Sequence, residues 1–302
     1  MADAAVRLRP SRRAAAFRSV RTLAKVLVSD RYAFIGALVY VLFVAVAALA
    51  GVLAPHEPTE ILFTPDGMLA ADLPPSTDHP LGTTSLGRDI YSQLLYGTRS
   101  ALLIGLVAAF FVVAIGTLVG LVAGYMGGVV DTVLMRITDV AFGIPFLPFV
   151  IVLSAFLEPS IWNVVLAMSL ILWRDTGRVI RSQVLTVKHR AFVEAARVSG
   201  SSTPRILFVH IAPNVLPISL LYGSIAVGWA ILTEASISFL GFGATDQISW
   251  GYMLQDAYVS QALSRGAWHW FVPPGLAIVA IVVAGFFISR GYEELLFPKL
   301  KD

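Results

Sequence analysis

Six apolar runs alternate with polar segments along the chain. A helix needs ~20 apolar residues to cross ~30 Å of hydrocarbon, and all but one of the runs reach about that length. The pattern therefore predicts an all-α integral membrane protein, with residues 33–302 forming one six-helix domain. The predicted spans are Ala33–Ala54, Ser100–Tyr125, Ile137–Leu157, Ser160–Trp173 with an extension beyond the membrane, Val215–Phe239 and Phe271–Ser289.

The fourth run is the shortest, because Ile161–Trp173 offers only thirteen uncharged residues before Arg174. At 1.5 Å per residue it covers roughly 20 Å, although Arg174 and Arg178 could reach the headgroups with their long side chains. Positive charge favours the cytoplasm. Six spans with both termini inside place 19 of the 22 lysines and arginines there, whereas five spans would move the basic cluster 174–205 outside. We therefore predict six spans.

Composition supports a membrane protein, since 57% of the residues are hydrophobic and 14% are charged. Soluble proteins carry about a quarter charged residues. The absence of cysteine excludes disulfides and thiolate chemistry. The basic segment 1–32 is predicted to be a cytoplasmic anchor near anionic lipid, and the small net charge of +3 does not suggest nucleic-acid binding. The first run is too long and too far from the N-terminus for a cleaved signal peptide.

Two connecting segments are predicted to lie outside. Segment 55–99 is acidic and holds six prolines, which exclude a long helix and predict an ordered or partly ordered loop. Segment 241–270 is rich in aromatic residues, which indicates either an interfacial aromatic belt or part of a docking surface for a soluble partner. The tail 290–302 is predicted to be cytoplasmic.

The polar segment 175–214 is predicted to be a cytoplasmic helix–turn–helix. Ser182–Val198 lacks glycine and proline, which predicts one helix. Gly200 then follows the end of this helix, where glycine adopts a positive φ at little energetic cost. Pro204 stands at the first position of a second helix. Pro213 and Pro217 are predicted to break or kink the entry to the fifth span.

A motif inside this segment carries a family resemblance. Glu194-Ala195-Ala196, three residues, Gly200, nine residues, His210, two residues and Pro213-Asn214 together resemble the cytoplasmic loop of ABC importer permeases. In that family the loop contacts the ATPase. The resemblance implies an ATPase-coupling role for a set of residues: Arg190, Glu194, Ala195, Ala196, Gly200, His210, Pro213 and Asn214.

Three further stretches resemble the dipeptide/oligopeptide branch of the same family, and the resemblance covers roughly residues 30–300. They are His79–Asp89, Leu95–Ser100 and Thr233–Gly243. The C-terminal sequence Ser289–Leu300 departs from the acidic pattern that usually ends this branch, which leaves the solute subgroup open.

The resemblance implies the second permease subunit of an importer in the inner membrane of a prokaryote. Such a subunit forms half of the path for oligopeptides or dipeptides and is not catalytic, because ATP and Mg are bound by a separate ATPase. The implied partners are a second homologous permease, two cytoplasmic ABC ATPases, an extracytoplasmic solute-binding protein and the lipid bilayer. Oligosaccharides or nickel are alternative solutes. A stand-alone secondary transporter or channel, or a membrane scaffold, is an alternative of another class.

The spans hold a second group of candidates. We assign Tyr222, Glu234 and Ser236 of the fifth span to the substrate path, although structural pairing near the interface is the other interpretation of Glu234. Glycines every four residues from Gly116 to Gly128 predict close helix packing. The five histidines lack metal-ligand spacing, and the chain contains no P-loop sequence and no nucleophile–base arrangement.

Overall fold

The computed structural model describes residues 30–157, 160–244 and 247–296. Within these ranges the chain forms helices, connecting segments and two isolated β-bridges. The helices are α1 (Arg31–Leu53), α2 (Ile90–Met126), α3 (Gly128–Gly143), α4 (Phe146–Phe156), α5 (Ile161–Val187), α6 (Ala191–Val198), α7 (Thr203–Phe239), α8 (Trp250–Val259) and α9 (Trp268–Leu296). The predictions for the basic N-terminal segment 1–29 and for residues 297–302 of the tail lie outside the described residues.

Four of the described helices are long and apolar enough to cross a membrane, namely α1, α2, α7 and α9. The pair α3 and α4 makes a fifth candidate if the two form one bent span. Helix α5 has the predicted start and the predicted extension, but its apolar part is short, as its sequence indicated. The all-helical fold is therefore confirmed, while the number of crossings stays a prediction.

The third predicted span is wrong as a single helix. Ile137–Leu157 is divided between α3 and α4, whose axes differ by 85°. The break falls at Gly143 and Pro145, and the latter holds an extended φ/ψ of −63° and 115° at the N-cap of α4. Proline disfavours a helical conformation in the residue before it, which favours the end of α3 at this point.

The predicted glycine spacing builds a close helix contact between α2 and α5. A Cβ on Gly120 would lie 2.7 Å from the carbonyl oxygen of Gly177 and 2.8 Å from the backbone nitrogen of Arg181. Gly116 and Gly124 approach the backbone of α5 in the same way. Gly128 does not, because α2 ends before it and its Cβ position has no neighbour within 4 Å. We call this contact the glycine seam.

Helix α2 begins ten residues before the predicted second span. The Asp89 carboxylate accepts a hydrogen bond from the backbone N–H of Ser92 at 2.7 Å, which is an N-cap that starts the helix at Ile90. Asp89 is fully buried and also contacts His79 Nδ1 at 3.2 Å. The segment that resembled a family signature therefore builds the start of α2. The loop predicted over 55–99 is wrong for residues 90–99, which are the first ten residues of α2, while 55–89 contain no long helix.

The aromatic residues of segment 241–270 fall into two groups. Trp250 and Trp270 are buried in the core cluster where α2, α7, α8 and α9 meet, so the aromatic-belt interpretation is wrong for these two. The indole N–H of Trp250 donates to the carbonyl of Leu94 at 3.1 Å. Tyr258 and Trp268 are exposed and remain available to an interface.

Arg265 connects segment 241–270 to the proline-rich loop, residues 55–89, through an ion pair. Its guanidinium lies 2.8 Å from the Asp72 carboxylate, and the Ser85 hydroxyl donates to the same carboxylate at 2.9 Å. Burial alone raises the pKa of Asp72, but the hydrogen bonds from Arg265 and Ser85 and the charge of Arg265 outweigh it, so the pKa lies below its usual value.

We expect the loop around Asp72 to lose stability at acidic pH. The pKa is lower in the folded state, so the contribution is complete above the unfolded pKa of about 3.9 and is lost as pH falls through the folded value. Hydrogen exchange of residues 70–88, corrected for intrinsic rates, should show protection falling from pH 5 to pH 3. Asp72→Asn should flatten this dependence, whereas Asp78→Asn, at an exposed carboxylate without an ion pair, should preserve it. Equal pH profiles for the two variants would contradict the assignment.

Candidate coupling loop and solute path

The chain turns between α5 and α6, where one continuous helix was predicted. Helix α5 ends at Val187, and the ammonium group of Lys188 donates to the carbonyl of Gly124 at 3.0 Å. Arg190 occupies the N-cap of α6 with extended backbone angles and is exposed. The helix predicted over Ser182–Val198 is therefore interrupted, and the turn brings α6 back against the end of α2.

Helix α6 has one buried face and one exposed face. Val193 is 0% exposed and packs in a cluster with Val184 and Val187 of α5. Glu194 and Ala195 are exposed, whereas Ala196 is half-buried and packs against the same cluster. Of the two alanines of the motif, Ala195 is thus open to a partner, whereas Ala196 packs largely inside the fold.

The Glu194 carboxylate is exposed. It has no ion-pair partner among the described residues. Arg197 lies instead near the ring of Tyr125, with its guanidinium carbon 5.9 Å from the ring centroid. The exposed carboxylate of Glu194 therefore remains available to a basic group of a partner.

Gly200 ends α6 with a φ of 75°, which confirms the predicted conformation. Its backbone N–H donates to Arg197 at 3.0 Å, and the N–H of Ser201 donates to the carbonyl of Ala196 at 3.1 Å. This pair of bonds is the Schellman arrangement, which satisfies the last carbonyls of a helix and needs a left-handed residue. Gly200 therefore fixes the angle at which the chain leaves α6.

Helix α7 begins at Thr203 with Pro204 in its first turn, as predicted, but Pro213 and Pro217 do not end it. Residues Ile206–Ile211 form a π-helical turn, a widening that is frequent at functional sites. Pro213 has no N–H to donate, and the amide of Asn214 donates to the carbonyl of His210 at 2.7 Å. The motif residues His210, Pro213 and Asn214 thus lie at one local widening of a continuous helix.

Tyr222 and Ser236 line a cavity of about 570 Å³ between α4, α5 and α7. Its walls are mostly apolar and include the aromatic rings of Phe146 and Trp229. From Tyr222 to Ser236 the cavity follows ~21 Å of α7. Two of the three predicted path residues are therefore brought together by the structure.

Glu234, the third, does not line the cavity. It is 4% exposed, and its carboxylate accepts a hydrogen bond from the Ser238 hydroxyl at 2.6 Å. Ser249, the N-cap of α8, also bonds to it. These contacts join the end of α7 to the start of α8, which is the structural pairing that the sequence left open.

The cavity also contains residues that sequence reasoning assigned to topology alone. Arg174 and Asp175 lie at its wall, 3.7 Å apart from Nε to carboxylate oxygen, next to Thr176. Arg174 also donates to the carbonyl of Ala141 and lies over the ring of Phe142. A pair of opposite charges at the end of a short apolar run is the signal that could have marked them, because ionisable groups near a span are usually functional.

The helical arrangement is similar to that of a chain in a solved ABC transporter structure. A chain from the solved structure of the MetNI methionine ABC transporter in inward-facing conformations aligns with a TM-score of 0.53, covering 68% of this chain and 95% of that chain. Its sequence identity of 17% limits this likeness to the fold.

Sequence comparison gives the family. The family described as "Binding-protein-dependent transport system inner membrane component" matches residues 116–302, and the chain belongs to it. Relatives include the oligopeptide transport system permease protein OppC of Bacillus subtilis, 34% identical over 90% of this chain and 87% of the relative. The dipeptide transport system permease protein DppC of Haemophilus influenzae is 35% identical over 88% and 92%, and the glutathione transport system permease protein GsiD of Pectobacterium atrosepticum is 36% identical over 86% and 85%. The resemblance seen in the sequence is confirmed.

Proposed function

We propose that this chain is one of two permease subunits of an ATP-driven importer. The relatives are permease proteins of oligopeptide, dipeptide and glutathione transport systems, which supports peptides as the solute class. The chain itself would not hydrolyse ATP. Its partners would be a second homologous permease, two ABC ATPases that bind ATP and Mg, and a solute-binding protein on the opposite side of the membrane.

The proposal includes the topology. Helices α1, α2, the bent pair α3–α4, α5, α7 and α9 would supply six crossings, with α6 and both termini in the cytoplasm. Helix α5 would cross with its short apolar part packed in a cluster with Ile104 and Ala108 of α2, and the charged part that follows it would be held at the glycine seam. The basic residues of segment 174–205 support this orientation through the preference of positive charge for the cytoplasm.

The observation that carries the mechanism is the continuity of α7. One unbroken helix runs from Thr203, three residues after Gly200, to Phe239, and the same helix lines the cavity through Tyr222 and Ser236. An ATPase that binds Glu194 and Ala195 and moves α6 would therefore move a cavity wall through only the short turn 199–202. Closure of the ATPases on ATP would switch the access of the cavity, and hydrolysis would reset it.

We expect affinity purification of this chain from its native membrane in mild detergent to retain a P-loop ATPase and a second permease. Mass spectrometry identifies the retained proteins. A known ABC importer, purified by the same steps, is the control. A retained binding protein would also identify the solute, and so would decide between peptides, oligosaccharides and nickel. Recovery of this chain alone, while the control complex stays intact, would favour a stand-alone transporter and contradict the proposal.

A further inference from the structure

The proline-rich loop contains a short β-hairpin, residues 61–70, whose tip is built for rigidity. Phe63 pairs with Leu69, and the backbone N–H of Thr64 donates to Met68 at 2.7 Å. Pro65, Asp66 and Gly67 form the turn, in which Gly67 holds a φ of 79°. Proline and a glycine with positive φ are the residues that such a turn requires.

The hairpin is also fastened to the body of the protein. The N–H of Leu62 donates to the carbonyl of Gly87 at 2.9 Å. A Cβ on Gly87 would lie 2.8 Å from the Leu69 side chain, so the strand packs directly on the backbone that precedes α2. A segment held in this way loses little conformational entropy when a partner binds it.

Despite this order, the hairpin exposes large apolar side chains. Phe63 is 65% exposed and Met68 is 66% exposed, and Ile61 is exposed beside them. Large apolar side chains exposed close together in sequence, with charged neighbours, are a feature of interaction sites. A fixed tip that leaves these side chains in solvent therefore indicates a partner.

Among the described residues, the exposed unpaired charges of this loop are acidic, because Arg265 is already paired with Asp72. The other exposed carboxylates of the loop have no ion-pair partner in the part of the chain that the structure describes; they belong to Glu57, Glu60, Asp66 and Asp78. Segment 55–89 contains one basic residue, Arg88, which is partly buried and donates to the Tyr252 hydroxyl at 3.5 Å. The positive-inside preference does not require this acidity, because Asp and Glu contribute little to it.

We propose that the 61–70 hairpin docks a soluble protein that presents an apolar recess with a basic rim. The inference rests on the proposed function, in which that protein is the solute-binding protein. Anionic headgroups would repel the carboxylates beside Phe63 and Met68, which argues against lipid as the occupant. A partner that repeatedly binds and leaves gains association rate from charge complementarity, whereas a permanent subunit interface is depleted of charge at its core.

The test uses the whole complex in nanodiscs of neutral lipid and the binding protein recovered with it. The variant Phe63→Ser/Met68→Ser should bind the binding protein at least tenfold more weakly, with unchanged ATPase activity in its absence. The matched control is Val259→Ser/Leu263→Ser, which removes two apolar side chains that are each 70% exposed at α8 and the turn after it. That variant should bind normally, whereas weaker binding by it and not by the hairpin variant would assign docking to segment 241–270, the other candidate surface, and overturn the proposal.

A second pair of measurements separates charge from apolar contact. Glu60→Gln/Asp66→Asn should slow the association of the binding protein with the complex. The association rate of this variant should also depend less on salt between about 50 and 300 mM, because salt screens exposed charges. Unchanged affinity of the Phe63/Met68 variant would overturn the docking surface while leaving the importer intact. Loss of the second permease from that variant, or its weaker binding to anionic vesicles, would assign the hairpin to those occupants instead. A wild-type complex that binds no binding protein would overturn the proposed function itself.

Discussion

Gly120→Ala is expected to lose most of its folded yield, whereas Gly223→Ala keeps it. Both glycines lie inside long helices, but a Cβ at Gly120 would meet two backbone atoms of α5 within 2.8 Å, and the nearest neighbour at Gly223 is a Val113 side-chain carbon at 3.5 Å. Backbone cannot rotate away as a side chain can, so the helices must separate. Overpacking of this kind costs about 1–3 kcal/mol or more.

At Gly223 the same substitution should be neutral or stabilising, since alanine is favoured over glycine inside a helix by about 0.5–1 kcal/mol. Size-exclusion profiles and thermal unfolding in mild detergent measure both variants. Gly120→Leu should be more severe than Gly120→Ala. If Gly120→Ala unfolds at the temperature of Gly223→Ala, the seam is looser than the structure indicates.

Gly200→Val is expected to reduce transport by tenfold or more while the complex stays assembled and its ATPase remains active. No atom would contact a Cβ at Gly200 within 4 Å, so the effect arises from the backbone alone. A left-handed conformation costs an L-residue roughly 1–2 kcal/mol, and a β-branched residue tolerates it worst. The Schellman hydrogen bonds should then break, and α6 should lose the packing of Val193 against Val184 and Val187 of α5.

The control for this prediction uses the same position. Asparagine accepts left-handed angles far better than valine does, so Gly200→Asn should retain most of the transport. Measurement requires the complete complex in proteoliposomes, with ATP hydrolysis and solute uptake followed together. Equal transport by the two variants would show that the exit angle of α6 is not used for coupling. Ala196 is a poorer site for this test than Gly200, because its side chain already packs against the core.

The sequence predicted the elements whose causes are local. Gly200 and Pro204 were placed correctly because a left-handed helix end and a first helical turn each need one residue type. The spacing of Gly116, Gly120 and Gly124 predicted close packing for a similar reason, although the identity of the opposing helix was not readable from it. Tyr222 and Ser236 were placed at the cavity through their polar groups in an apolar span.

Most of the wrong predictions failed because tertiary contacts, which the local sequence does not reveal, determine the structure. The turn after Val187 has no glycine or proline; it exists because Val193 packs against Val184 of the preceding helix. Trp250 and Trp270 were expected at an interface, but a segment that folds back over α2 buries them. The break before Pro145 is different, since its signal was in the sequence and the length of the apolar run concealed it.

The glycine seam has a consequence for biogenesis. Helix α5 has only thirteen uncharged residues before Arg174, too few to partition strongly into lipid alone. A chain made from its N-terminus completes α2 before α5 emerges, so the partner that receives α5 is already present. On the proposed topology, α5 would enter the membrane by docking on an earlier helix, and a defect at Gly120 would first appear as inverted or uninserted chains during synthesis.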